Sequence, residues 1–335
     1  MDFNYDYWES LSESELARMD IGEIQLRLSA GLPAAADDVQ IDFLLEKLNG
    51  WTSVVEWSTK RWMSRFDNNP SKYEHSVAKF RAMCMVTVIQ RDLGVKYNLP
   101  FVEGAYDATD SRNVLLHGVL SGFGGTCATL PFLYVAIGRR LGYPLFVVPT
   151  KEHLFARWDD GNGERFNFEP SGRGFEPRTD DYYRHWPREI SETDERDAGF
   201  LRSYTRREEL AVSLTHRGRC FQDNFLFVSA MFCFRSAAQL SPFERGPWMV
   251  ATILQRMARA FDPHGLSLDL PTKRLLAHAR QPVTEKWEAW AVPQAEAEFC
   301  RIIDLHREKR RREIARSRDT LFATYAQPEF TQVFG

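Results

Sequence analysis

The chain has no Cys-x-x-Cys, no His-Glu-x-x-His and no cluster of His, Cys and Asp at ligand spacing, so no metal site is expected. Gly122-Phe123-Gly124-Gly125 is glycine-rich, but no Gly-Lys-Ser/Thr follows it, so it is not a phosphate-binding loop. No cofactor is expected. No apolar run reaches the roughly 18 residues of a membrane-spanning helix, so no membrane association is expected. The opening Met1-Asp2-Phe3-Asn4-Tyr5-Asp6 is acidic and lacks the basic and apolar regions of a signal peptide. Cysteine is sparse. Cys84, Cys127, Cys220, Cys233 and Cys300 are odd in number and scattered, the pattern of reduced thiols in a cytoplasmic protein. There is no strong charge of either sign, and a formal net charge of −3 argues against charge-driven binding to nucleic acid.

What is present is ordinary for a folded enzyme or binding protein. The 335 residues are 44% hydrophobic and 27% charged, enough for one large domain or two to three smaller ones. Residues 1–35 read as an acidic leader ending in small residues. Three helical patterns follow. Ile41, Leu44, Leu45 and Leu48 repeat at helical spacing, as do Val54, Trp57, Trp62 and Phe66, and a third pattern spans 73–93. All three are expected to pack in the core, with Trp51, Trp57 and Trp62 inside it. His117 lies in the apolar run Val114–Leu120 and reads as a core histidine.

Leu130, Leu133, Tyr134, Ile137 and Leu141 line one face of a helix after Cys127. Pro131 fits best within a first helical turn, which moves the helix start to Thr129 and leaves Cys127 on the approach loop. Leu145–Val148 is a short buried strand. Two further strands flank Asp159-Asp160-Gly161-Asn162-Gly163, a strong hairpin signal. A turn centred on Gly161 sets His153 opposite Glu169, where Cβ atoms stand about 4.5–5.5 Å apart. The same register sets Arg157 against Arg165, a like-charge pair that a bulge would have to relieve.

Residues 176–200 are polar and rich in Pro and Arg, and read as a linker. Within them Asp180, Asp181, Tyr182, Tyr183, Arg184 and Trp186 are candidates to border a substrate groove. From 201 onward the pattern is helical. Leu214, Gly218, Phe221, Ala230, Phe234, Ala237 and Pro242 sit at tetratricopeptide offsets over 211–244. Trp248 restarts that pattern, and Pro263-His264-Gly265 breaks it. A basic cluster at 307–312 reads as a solvated helix face. The expected organisation is a leader (1–35), a core (36–195), tetratricopeptide-like helices (196–262) and a helical tail (263–335). The expected fold class is α+β, a helical part and a small antiparallel sheet, followed by an all-α region.

The chemistry-bearing residues are Cys127, His153 and Glu169, in that order. Taken singly, a Cys before a helix is usually a small buried hydrophobe and a His in a strand is usually structural. Their coincidence, with a hairpin that joins two of them, makes a thiol site the better reading. A thiol attacks only as thiolate, which a neighbouring imidazolium stabilises. The histidine then serves as general acid, and a third group holds its tautomer. The backbone N–H of the cysteine is a natural oxyanion donor. Gly124 and Gly125 would allow close approach of a substrate carbonyl.

Several runs resemble the transglutaminase-like superfamily, which shares the papain-like cysteine protease fold. They are Gly125-Thr126-Cys127, the helix ending Arg139-Arg140-Leu141-Gly142-Tyr143-Pro144, the strand His153-Leu154-Phe155-Ala156-Arg157-Trp158, and Asn167-Phe168-Glu169-Pro170. The resemblance covers roughly 40–195 and is closest to a bacterial branch joining this core to tetratricopeptide-like helices. It implies Cys127 as nucleophile, His153 as acid and base, and Glu169 as orienter, with Gly125 and Thr126 in support. Family members usually carry an Asp about sixteen positions after the histidine, often before a Pro. Here Glu169 precedes Pro170 and is one methylene longer, so Asn167 is held as the reserve orienter.

The reading is therefore a cysteine-dependent acyl-transfer enzyme acting on a peptide, amide or isopeptide bond through a thioester, with hydrolysis ranked above transamidation. The alternative is an inactive transglutaminase-like scaffold that binds a protein partner through its helical repeats. A third reading has the repeats recruit substrate to the thiol.

Overall fold

Acidic residues open the first helices of the protein, and apolar ones turn inward from them. The structure, a computed structural model, describes residues 4–32, 41–98, 108–224 and 226–244. Helices α1 (Tyr5–Ser10), α2 (Glu13–Leu16) and α3 (Ile21–Arg27) are each begun by a side chain that accepts a backbone N–H: Asn4, Ser12 and Asp20. Asp6, Glu13, Glu15 and Glu23 lie in first turns, where the helix dipole favours negative charge. Trp8, Leu16, Ile24, Leu26 and Leu28 are buried. The segment read as an acidic leader is thus folded into the core.

The two helical patterns between 41 and 68 form one helix, α4 (Ile41–Asn68), which continues through Gly50. Its buried side is Leu44, Leu48, Val55, Ser58 and Thr59. Trp57, expected inside, lies off that side and is 61% exposed, with the Arg61 guanidinium 5.1 Å from its ring. Trp51 and Trp62 are half-buried against the core. The third pattern becomes α5 (Val77–Thr87), capped by Ser76, and runs into a wider π-helical turn over Val88–Asp92. A short α6 (His117–Leu120) follows a loop. His117 is a core histidine: its Nε2 lies 3.0 Å from Ser111 Oγ, and burial lowers its pKa to about 4.

Helix α7 (Leu130–Arg140) is buried from Leu130 through Gly138, as a helix enclosed on all sides must be. It packs on a sheet of β1 (Leu145–Thr150), β2 (His153–Asp159), β3 (Arg165–Phe168) and β4 (Pro177–Arg178), antiparallel in that order. Gly138 permits the contact, because a Cβ there would lie 2.2 Å from Leu145 Cδ1. Strand alternation splits the sheet. Leu145, Val147, Leu154, Ala156, Trp158 and Phe168 join the main core, while Val148 and Phe155 turn to a second cluster with Tyr183, Ile190 and Leu201.

The hairpin register differs from the expected one. Ala156 pairs with Phe168, Arg157 with Asn167 and Asp159 with Arg165. The turn is centred on Asn162, not Gly161, because Asp160 Oδ1 accepts the N–H groups of both Asn162 (2.8 Å) and Glu164 (3.0 Å). The slip is two residues, so every side chain keeps its face. His153 and Glu169 are no longer directly opposite, and Arg157 and Arg165 no longer pair across the ladder.

The stretch read as a linker contains β4 and two helices, α8 (Asp180–His185) and α9 (Glu192–Ala198), capped by Thr179 and Ser191. Its buried Tyr183 and Ile190 give it the apolar anchor that its polar composition hides. A helical hairpin follows, α10 (Arg206–Asp223) and α11 (Phe227–Leu240). A Cβ on Gly218 would lie 2.6 Å from the Phe234 ring, so the two helices close on that glycine. Gln25 Nε2 donates to Ser213 Oγ at 2.6 Å, and Tyr5 Oη lies 3.2 Å from Cys233 Sγ, which docks the N-terminal helices on this hairpin. The repeat restart at Trp248, the break at 263–265, the basic cluster and the tail 263–335 lie outside the described residues. No helix among the described residues is long and apolar enough to cross a membrane.

Candidate active site

The loop before α7 sets Cys127. Thr126 is fully buried, and its N–H donates to Thr129 Oγ1 at 2.8 Å. Its hydroxyl donates to the Asn113 carbonyl at 2.7 Å, and its carbonyl accepts the N–H groups of Thr129 and Leu130. These bonds form the turn on which Cys127 sits half-buried, three residues before the helix. Gly125 is held from the other side: it donates to the Lys96 carbonyl at 2.8 Å and accepts from the Asn98 N–H at 2.7 Å. A Cβ on Gly125 would lie 2.3 Å from Leu130 Cδ2. Gly125 therefore serves the packing of α7 and of segment 96–98 rather than the approach of a substrate carbonyl.

His153 is the first residue of β2, after a tight turn in which Glu152 takes φ +65°. Its Nε2 lies 2.8 Å from Glu169 Oε2. The same carboxylate oxygen accepts the Tyr183 hydroxyl at 3.1 Å, and Oε1 accepts the Ser171 N–H at 2.9 Å. The extra methylene of Glu spans the two-residue slip, so a carboxylate beyond the end of β3 still reaches the imidazole. With Nε2 engaged, Nδ1 is the ring nitrogen left for the neighbouring Cys127 thiol. Burial alone would lower the His153 pKa, but the interaction with Cys127, the hydrogen bond donated to Glu169 and the charges of both outweigh it and raise the value to about 9. The Trp186 and His153 rings meet edge-to-face with centroids 4.7 Å apart, which covers the imidazole on one side.

Asn167 is not at the imidazole. Its Oδ1 accepts from Arg157 Nε at 2.7 Å, and its Nδ2 donates to Asp180 Oδ1 at 2.7 Å and to the Arg178 carbonyl at 3.1 Å. The two-residue slip pairs it with Arg157, which is 1% exposed and draws in these acceptors. Of the groove candidates, Tyr183 and Trp186 reach the site. Asp180 belongs to the Arg157 network, and Arg184 pairs with Glu195.

Sequence reasoning missed Tyr97. Its backbone bridges to Gly125, and burial and the neighbouring Cys127 raise its pKa, although the two residues are far apart in the chain. Tyr97 lies in an aperiodic stretch after α5, and no spacing or motif marks it. The Ser171 amide and the Tyr183 hydroxyl on Glu169 were equally silent. Among the described residues no three or more His, Cys, Asp or Glu side chains are grouped to hold a metal ion.

The arrangement holds a half-buried thiol, an imidazole whose proton is stabilised, and a carboxylate fixed by two further donors. It can hold a thiolate–imidazolium pair and pass a proton to a leaving group. Residues 60–213 match the family model described as transglutaminase-like superfamily. No curated protein and no solved structure matches the chain. The matched span runs from within α4 to within α10, past the boundary expected at 195, and encloses Tyr97, Cys127, His153 and Glu169. Over residues 60–213, within an α+β core, the chain is thus similar to the transglutaminase-like superfamily.

Proposed function

We propose that the protein is a cysteine-dependent acyl-transfer enzyme acting on a peptide, amide or isopeptide bond of a peptide or protein substrate. The observation that carries this reading is His153 paired with Glu169 at 2.8 Å and lying near enough to Cys127 for the thiol to help raise its pKa. The Cys127 proton passes to His153. The thiolate attacks the carbonyl carbon, a C–S bond forms, and the carbonyl π pair moves to oxygen. Collapse of the oxyanion breaks the C–N bond, and His153 delivers its proton to the departing amine. Water, deprotonated by His153, then cleaves the thioester. Glu169 keeps Nε2 paired through the cycle, which holds Nδ1 toward sulfur. Hydrolysis ranks above transamidation because an amine acceptor needs its own site and a groove that keeps water out.

The alternative, a binding module working through the helices after 201, needs open helical faces there. Tyr5, Glu9 and Gln25 already occupy part of the α10–α11 hairpin, which weighs for the enzyme. The test is the rate of Cys127 alkylation by iodoacetamide from pH 4 to 10, with His153→Ala alongside. The expected result is fast alkylation near neutral pH that is lost in His153→Ala. A rate that rises only near pH 8.5 in both proteins, the behaviour of an ordinary thiol, removes the enzyme reading.

A further inference from the structure

A glutamate has one more rotatable bond than an aspartate, so holding its carboxylate to a single aim takes more anchors. Glu169 has them. His153 Nε2 and the Tyr183 hydroxyl meet Oε2 at 2.8 and 3.1 Å, and the Ser171 N–H meets Oε1 at 2.9 Å. Any buried tyrosine needs an acceptor for its hydroxyl. Tyr183 takes the very oxygen that also holds the histidine. Its own place is rigid. The side chain is fully buried, and its ring stacks on Phe155 with centroids 3.7 Å apart and planes 4° from parallel. Phe155 follows His153 by two residues on β2, so both side chains leave the same strand face. The backbone is held as well. Thr150, the β1 partner of His153, donates its hydroxyl to the Tyr183 carbonyl at 3.0 Å. At the end of α8, Trp186 packs against the imidazole itself.

We propose that Tyr183 is a positioning residue of the thiol site, acting on His153 through Glu169. The proposal rests on the acyl-transfer reading and deepens it. No proton or electron pair passes to or from Tyr183. Its hydroxyl and the Ser171 N–H tether the two carboxylate oxygens separately, which fixes both the position and the plane of the carboxylate. The carboxylate in turn fixes Nε2–H of the imidazole, and Nδ1 keeps its aim at sulfur in each half of the cycle. The tether matters most once His153 has given its proton to the leaving amine. The imidazole is then neutral and pulls less on Glu169, and an untethered glutamate is free to turn toward water. Burial and the charge of Glu169 hold the Tyr183 hydroxyl protonated far above the ordinary tyrosine range, so it remains a donor throughout. The polar stretch 176–200 thus supplies part of the site and not only a connection.

The experiment measures the pH profile of Cys127 alkylation by iodoacetamide in the full chain, for wild type, Tyr183→Phe, Glu169→Ala and the double variant. Tyr183→Phe keeps the stack on Phe155 and removes only the hydroxyl. Its profile is expected to rise about one pH unit higher than that of wild type, which slows alkylation at neutral pH about tenfold. Glu169→Ala is expected to move the profile at least as far. The double variant is expected to match Glu169→Ala, because the tyrosine then has nothing to act through. A further shift of the same size on top of Glu169→Ala would mean that Tyr183 acts through packing, and overturns the proposal. So does a Tyr183→Phe profile equal to that of wild type, or one moved to lower pH, which would make the hydroxyl a competitor of His153 for the carboxylate. A reactive wild-type thiol that Glu169→Ala leaves unchanged overturns the proposal alone. A wild type whose alkylation rises only near about pH 8.5 refutes the acyl-transfer reading, and this proposal with it. Should Tyr183→Phe not fold, 4-fluorophenylalanine at 183 fills the place of the hydroxyl without a donor and is judged by the same outcomes.

Discussion

At the scale of the residue, the site depends on one proton held on His153. Its pKa of about 9 lies above the ordinary histidine value of about 6.5, so the bound proton favours the folded state. That contribution is complete below about pH 6.5 and fades as pH rises through about 9. The stability gap between wild type and His153→Gln is therefore expected to shrink from pH 6 to pH 10 in thermal melts. Acyl transfer needs the same proton for the leaving amine, so kcat should fall as pH passes about 9 while alkylation of the thiolate persists. A kcat limb near pH 6.5 would mean that His153 titrates as a free imidazole. Cys127→Ala is expected to reduce turnover of any peptide or amide substrate by at least about a thousandfold, and unchanged turnover would place the chemistry elsewhere.

At the scale of the element, the turn before α7 and the two-residue slip of the hairpin shape the site. Thr126 locks the turn from within, and Gly125 lets Leu130 close on it. Gly125→Ala puts a methyl group against a buried leucine, which is expected to cost about 1–3 kcal/mol and to slow Cys127 alkylation at neutral pH by displacing the turn. Denaturant titration and the alkylation rate read the two effects separately, and a variant equal to wild type in both would show that the turn yields freely. Much of this scale was legible in the sequence. Pro131 marked the true start of the helix, and the Asp- and Gly-rich turn marked the hairpin. The register was not, because it was decided by the Asp160 side chain bonding two turn amides, which shifts the pairing by two residues without changing any face.

At the scale of the whole molecule, residues 4–32 are part of one core with α4–α7, the sheet and the α10–α11 hairpin. Trp8, Leu16, Ile24, Leu26 and Leu28 each contribute roughly 1.5–3 kcal/mol on burial. Their sum rivals the 5–15 kcal/mol total stability of a typical protein. Deleting residues 1–32 is therefore expected to abolish cooperative melting, and a truncated protein that melts within a few degrees of the intact one would make the segment an appendage. The sequence by itself determined the residue types of the thiol site, their order, the α7 helix behind Cys127, the strand carrying His153 and the strand that ends just before Glu169, because each follows from local periodicity, capping or turn chemistry. Only the tertiary structure decided that Glu169 rather than Asn167 holds the imidazole. It alone brought Tyr97 beside Gly125, folded the acidic leader inward and turned Trp57 out. Those outcomes rest on contacts between residues far apart in the chain, where burial and hydrogen-bond partners are set by packing and leave no periodic trace.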